Sequence, residues 1–227
     1  MLAVILTALM IGCLYIGLMV VTKTVLESTF QFPLVERDRH NYLREVTGLV
    51  LGIYLSGVAW TECTDCVSTA AIVMVTYYAL DLFFNWAVMT RPYVLHHALI
   101  ITVCGGLEFW AHGDIRLTPL VCRFLQVEYS TVFHNLSCML RRYRRLKQME
   151  TSPWDFYLFK VPFYLLYVRY RLIALIPLCW ETVRVLAEFT SPMAYIRYGI
   201  GAFALLNLYW AGEVVIGAMT KKKPSQV

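Results

Sequence analysis

Seven apolar runs alternate with short polar segments along the chain, at about 2–22, 43–61, 67–90, 93–110, 118–140, 155–180 and 192–217. Each approaches the roughly 20 residues that a helix needs to cross a hydrocarbon core. The pattern predicts an all-α polytopic membrane protein, a bundle of about seven transmembrane helices. Pro92, Pro119, Pro153 and Pro192 fall at or just before a proposed helix start, where the missing N–H costs nothing. Pro162 and Pro177 lie inside the sixth run and predict kinks. The first run lacks a basic n-region and a clear small-residue cleavage site, so it reads as a helix and not as a signal peptide. No soluble domain, long linker, repeat or low-complexity tract interrupts the array, and residues 1–227 read as a single membrane domain.

Composition strengthens this picture, because 59% of the 227 residues are hydrophobic and 15% are charged, against about 25% charged in a soluble domain. Mean hydropathy is +0.59. Basic residues are distributed unevenly over the alternating segments. Lys23, Arg37, Arg39, Arg44, Arg91, Arg141, Arg142, Arg144, Arg145, Lys147, Lys221, Lys222 and Lys223 fall on one side, thirteen in all, against Arg116 and Arg184 on the other. By the positive-inside rule the N-terminus is outside or lumenal and the C-terminus cytosolic. The net charge of +5 is then accounted for by this bias and by anionic lipid headgroups, with no nucleic acid as partner.

Against that background the polar residues inside apolar runs carry the functional signal. His96 and His97 open the fourth run, on the order of 5–8 Å below its first residue at 1.5 Å rise per residue. Adjacent helical residues point about 100° apart, so the two rings are expected to have different tasks, with His97 on the face of Cys104 and Glu108 and His96 on that of Val103 and Leu107. A plain helix-end anchor is the alternative. The fifth run is polar on two sides, with Glu128, Thr131, Asn135 and Arg142 on one stripe and Arg123, Gln126, Ser130, His134 and Ser137 on the other, and is expected to run through the middle of the bundle. Asp81 shares a face with Tyr77 and Asn85. Asp81 and Glu128 need partners, for which Arg169 and Arg171 of the sixth run are the candidates. Such a network serves architecture or catalysis; a channel would need a ring of repeated charges, which is not visible.

The five histidines, His40, His96, His97, His112 and His134, form no multi-histidine metal box. Haem between His96 and His97 fails on their divergence. No metal site and no tightly bound cofactor are expected. Cys63-Thr64-Asp65-Cys66, alone in a loop predicted to be lumenal, suggests a local disulfide more than zinc. The sequon Asn135-Leu136-Ser137 is buried in the fifth helix and should stay unmodified.

The order of these residues resembles a known family. Asp81 in Tyr77-Tyr78-Ala79-Leu80-Asp81, Leu95-His96-His97 opening the next helix, Glu128-Tyr129-Ser130-Thr131-Val132-Phe133-His134-Asn135, Arg169 or Arg171 in an aromatic helix, and the closing Leu206-Asn207-Leu208-Tyr209-Trp210 are together similar to the TLC (TRAM/LAG1/CLN8) domain over residues 40–220. After the histidines, residues 98–106 lack the acidic stretch of the Lag motif, so the likeness is closer to the small TLC-domain-containing proteins than to the ceramide synthases.

The resemblance implies an endoplasmic-reticulum protein of lipid metabolism, a helical bundle around a lipid-accessible cavity, with membrane lipids and fatty acyl-CoA as partners and a homo-oligomer left open. In the ceramide-synthase branch paired histidines serve N-acylation of a sphingoid base. Carried onto this chain, His96, His97 and Asp81 become the catalytic candidates of an acyltransferase, with acyl-CoA as co-substrate and a sphingoid base or lysolipid as acceptor. Imidazole can act as base or nucleophile near neutral pH, and Asp81 could orient one ring. Glu128, Ser130, Thr131, Asn135, Arg169 and Arg171 become the substrate-binding candidates. The alternative is a non-catalytic lipid- or cargo-binding regulator of membrane lipid composition.

Overall fold

The computed structural model describes residues 9–17, 20–21, 23–24, 28, 36–61, 64–111, 114–150, 152–189 and 193–219. Lys221, Lys222, Lys223, Cys63, His112 and Pro192 lie outside them. Every regular element among the described residues is helical, so the all-α reading stands: α1 (9–17), α2 (Glu36–Trp60), α3 (Thr64–Asn85, continued by a 3₁₀ turn Trp86–Val88), α4 (Arg91–Ala111), α5 (Thr118–Leu125), α6 (Glu128–Leu146), α7 (Pro153–Leu186) and α8 (Met193–Met219).

Two elements depart from the apolar pattern. The fifth run is two helices. Gln126, Val127 and Tyr129 donate to the carbonyls of Arg123, Phe124 and Gln126, each at 3.2 Å, and these short-period bonds tighten the chain just before Glu128. In α7 the kinks expected at Pro162 and Pro177 take another form. The helix continues, but widens into π-helix at Phe156–Lys160 and Tyr167–Ala174, ahead of each proline. A proline has no N–H for the carbonyl four residues back, and a wider turn accommodates the lost bond without a break.

Six helical columns form a closed ring in which each packs on its neighbours in the order α2, α3, α4, α8, α7, α6 and back to α2. Sequential ring partners run antiparallel. At one end Arg142 pairs with Glu45 at 2.8 Å and Arg144 with Asp155 at 2.8 Å; at the other Arg123 pairs with Glu181 and Arg116 with Glu188, both at 2.7 Å. At this second end α5 leans inward against α2, α3 and the last part of α7, and its buried Leu120, Val121, Phe124 and Leu125 fill the ring. α1 lies against α3, with the Tyr15 ring 6.0 Å from Tyr77 and from Phe84.

α2 and α6 approach closely, and glycine makes it possible. A Cβ on Gly48 would stand 2.8 Å from the Asn135 side-chain nitrogen, and one on Gly52 would stand 3.2 Å from Val132 Cγ2. Gly48-x-x-x-Gly52 is the small-residue spacing that lets two helix backbones approach. The outer wall of the ring is apolar, with Phe83, Leu165, Ile173, Trp180 and Leu205 all exposed. Among the described residues two helical stretches, Cys66–Asn85 and Pro153–Leu186, are long and apolar enough to cross a membrane by length and composition. Cys66 is disulfide-bonded, at the end of the ring opposite the arginine-rich end of α6.

Candidate functional site

The ring encloses a cavity of about 510 Å³. α5 blocks it at one end, while at the other it runs out past Arg44 and Glu45 of α2 to the exposed Thr90 and Glu213. Most candidate residues meet here. His96, His97, Asp81, Glu128, Ser130, Thr131, Asn135 and Arg171 all border the space.

The two histidines reach the cavity on different terms. His97 is tied at both ring nitrogens: Nδ1 donates to the Tyr93 carbonyl at 2.8 Å, and Nε2 lies 2.8 Å from Asp81 Oδ2. That second contact is complete only with a proton between nitrogen and carboxylate, which leaves the ring no free lone pair. His96 is 6% exposed, sits among Trp210, Phe203 and Tyr78 at ring distances of 4.9, 5.7 and 5.6 Å, and its buried Nδ1 has no hydrogen-bond partner. The 100° divergence therefore gives the rings different partners, as expected, yet both still border one cavity, with ring centroids 5.8 Å apart.

Asp81 is saturated. Besides His97 it receives Asn85 Nδ2 at 2.6 Å and Arg44 Nε at 3.4 Å, and Tyr15 OH lies 3.5 Å from Oδ1. Its guanidinium partner is thus Arg44 and not Arg169 or Arg171. The reason is position: α3 lies beside α2 in the ring, whereas α7 is across the cavity. Arg171, turned inward by the π-helical stretch and 8% exposed, donates to Ser130 Oγ at 2.9 Å, Thr131 Oγ1 at 2.8 Å and Asn207 Oδ1 at 3.4 Å. Arg169 is not in the cavity at all. It is exposed, its guanidinium lies 5.6 Å from the Tyr170 ring, and its assignment to substrate binding is withdrawn. Two positions along a π-helix separate the two side chains as effectively as they would along an α-helix.

Glu128 is 4% exposed; Tyr78 OH approaches Oε1 at 3.5 Å, and buried Oε2 has no partner. Neither Arg171 nor Arg169 forms the ion pair expected for it, since Arg171 is turned to hydroxyls and an amide. A buried carboxyl oxygen without a hydrogen-bond partner is costly. Asn135 borders the cavity where α6 meets Gly48. Among the described residues no group of three or more His, Cys, Asp or Glu side chains is placed to hold a metal ion.

No family model matches the chain, and no curated protein or solved structure matches it either. The site is therefore read from its geometry. Arg44, Tyr15, Tyr78 and Asn207 belong to it but were not singled out from the sequence as its members. Arg44 stood at the border of an apolar run, where it counted only as a topological charge. Asn207 is buried within an apolar run, a signal that was available in the sequence. Nothing in the sequence joins Tyr15 to Asn85, whose Nδ2 donates to the phenol oxygen at 3.2 Å.

Proposed function

We propose that this chain is a seven-span, TLC-type membrane protein of the endoplasmic reticulum that transfers a fatty acyl group from acyl-CoA to a sphingoid base or lysolipid. The observation that carries the reading is His96: a buried imidazole whose Nδ1 has no hydrogen-bond partner, bordering the cavity next to a second histidine fixed by a carboxylate. The seven spans are the six columns of the ring together with α1. The orientation puts the arginine-rich end of the ring in the cytosol, in keeping with the basic asymmetry and with the disulfide-bonded Cys66 at the opposite end, where an oxidising lumen would preserve it.

In this reading the acyl chain occupies the space above α5 and the thioester carbonyl lies near His96. His96 removes a proton from the acceptor amine or hydroxyl as it attacks the acyl thioester carbonyl, and returns it to the departing thiolate. His97 and Asp81 are positioning residues that hold the end of α4 to α3. Glu128 Oε2 takes a hydrogen bond from the acceptor head, and Arg171 keeps Ser130 and Thr131 in place. Because His97 has both nitrogens occupied, as a helix anchor would, the rival reading is a lipid-binding regulator without catalysis.

Purified protein in nanodiscs, given labelled acyl-CoA with a panel of sphingoid bases and lysolipids, separates the two. Acylated product should form, and His96→Ala should lower its rate about 10²-fold or more while the thermal transition stays in place. Absence of product with every acceptor, alongside saturable lipid binding that His96→Ala leaves unchanged, would replace catalysis by the regulator.

A further inference from the structure

One reactive group borders the cavity without a role in that scheme. Cys138 of α6 is a free, half-buried thiol on the cavity wall. Its Sγ lies 3.6 Å from Nε2 of His134, one helical turn away, and Nη2 of Arg141 donates to the same sulfur at 3.2 Å. His134 also borders the cavity, braced against the Phe163 ring at 5.2 Å. A thiol with a base within reach and a cation beside the sulfur has the geometry of a nucleophile assisted by a general base.

Its location suits one class of electrophile. Cys138 lies on α6 between Asn135, which meets Gly48, and Arg142, which pairs with Glu45 at the mouth of the cavity. Beyond it α6 carries Arg141, Arg142, Arg144 and Arg145, four cations of which Arg142 and Arg144 are paired with Glu45 and Asp155, an arginine-rich end toward which a polyanionic carrier would be drawn. Below it the same space is bordered by Glu128 and His96, each of which also has one buried polar atom without a protein partner. A donor with an anionic head, a thioester and a long chain would place its carbonyl between rim and floor.

We infer that Cys138, with His134 as its base, is an acyl-loading site that takes the fatty acyl group from a long-chain acyl thioester before it reaches the acceptor. The inference rests on the acyl-transfer reading of the cavity. Sulfur of Cys138 attacks the thioester carbonyl while its proton passes to His134 Nε2. The carbon–sulfur bond to the carrier then breaks, and the proton on His134 goes to the departing thiolate. The products are acyl-Cys138 and a free carrier thiol, with no change of oxidation state. The acceptor then attacks acyl-Cys138 as His96 takes its proton, the carbon–sulfur bond to Cys138 breaks, and the proton passes from His96 to the released Cys138 thiolate, which restores both groups.

The test uses full-length protein in nanodiscs, exposed briefly to radiolabelled palmitoyl-CoA without acceptor, quenched in acid and mapped by peptide mass spectrometry. Label removable by neutral hydroxylamine should sit on Cys138 in large excess over Cys13, an exposed free thiol that reports spontaneous acylation. Cys138→Ser should lose that label and Cys138→Ala should lose product formation, both with an unchanged thermal transition. His134→Gln should slow loading about 10²-fold or more, and His96→Ala should load normally but fail to pass the label on. Product formed by Cys138→Ala at the wild-type rate, or label on Cys138 no greater than on Cys13 while product forms, overturns the loading site and leaves the transferase. Label that loads on Cys138 but passes to no acceptor keeps the loading site and removes the transferase. Wild-type protein giving neither label nor product removes both.

Discussion

Arg171 is the strongest test of how the ring is held together. One guanidinium ties α7 to two residues of α6, at 2.9 and 2.8 Å, and to α8 at 3.4 Å. Hydrogen bonds to a charged group contribute about 1.5–3 kcal/mol each. The two short ones therefore set the scale and the long one adds little. Truncation is partly cushioned, because Ser130 also donates to the Val127 carbonyl and Asn207 to that of Phe203. Arg171→Ala should then cost about 3–5 kcal/mol, a large share of the about 5–15 kcal/mol that holds a typical domain folded. At about 2–4 °C per kcal/mol for a chain of this size, the midpoint in detergent should fall by about 6–20 °C. Arg171→Lys should recover only part of the loss, since an ammonium has no planar fork to span three acceptors. Arg169→Ala, two positions away and exposed, should stay within about 0.5 kcal/mol of the wild type. A loss under about 1 kcal/mol for Arg171→Ala, or equal losses at both arginines, would refute the inward-facing network.

Other substitutions separate neighbouring roles. Gly52→Leu forces a side chain against Val132, where even a Cβ would stand at 3.2 Å, and should cost about 1–3 kcal/mol in a denaturation assay; Gly57→Ala, with nothing within 4 Å, should be neutral or stabilise by up to about 1 kcal/mol. His97→Ala removes the imidazole that pairs with the Asp81 carboxylate at 2.8 Å and should cost about 3–5 kcal/mol, measured by the same midpoint shift, whereas His96→Ala should leave the fold intact. Asp114, in the segment just before α5, is held below the usual carboxylate range by the Arg116 side chain and then by its backbone N–H. A lowered pKa means that its contribution is complete at neutral pH and is lost only as pH falls through that lowered value, below about pH 4. Carboxyl-carbon NMR should show this titration moving up to the ordinary range in Arg116→Gln, and no movement would exclude the pairing. A cysteine-accessibility map should place the segment 141–147 and the segment around Cys66 on opposite faces; the same face for both would overturn the orientation.

The apolar runs made the helices legible, because backbone removed from water must satisfy its own hydrogen bonds, and prolines and arginines mark several of their ends. The site was legible wherever an ionisable group stood inside an apolar run, which is why His96, His97, Asp81, Glu128 and Arg171 were found. Pairing was less legible. Whether Arg44 or Arg171 meets Asp81 depends on which helices are neighbours in the ring, and hydropathy does not encode that order. The choice between Arg169 and Arg171 depended on a π-helical stretch, and no propensity marks one. Tyr15 was invisible as a partner because its contact with Asn85 spans 70 residues of sequence.

The π-helical widening of α7 has an evolutionary corollary. Each wide turn holds roughly one residue more than an α-helix would use over the same rise, so the segment behaves like a helix that has absorbed an insertion. Substitution alone cannot remove the surplus. A single-residue deletion between Tyr167 and Arg171 can, and it would rotate whatever lies on one side of the cut by about 100°. Arg171 would then leave the cavity, or Tyr170 and its neighbours would be carried into it. Insertions and deletions are commonly tolerated in loops and rejected in helices. In this chain the position most sensitive to a change of length lies in mid-helix, beside the guanidinium that joins three helices, and divergent copies should vary in residue type there long before they vary in residue number.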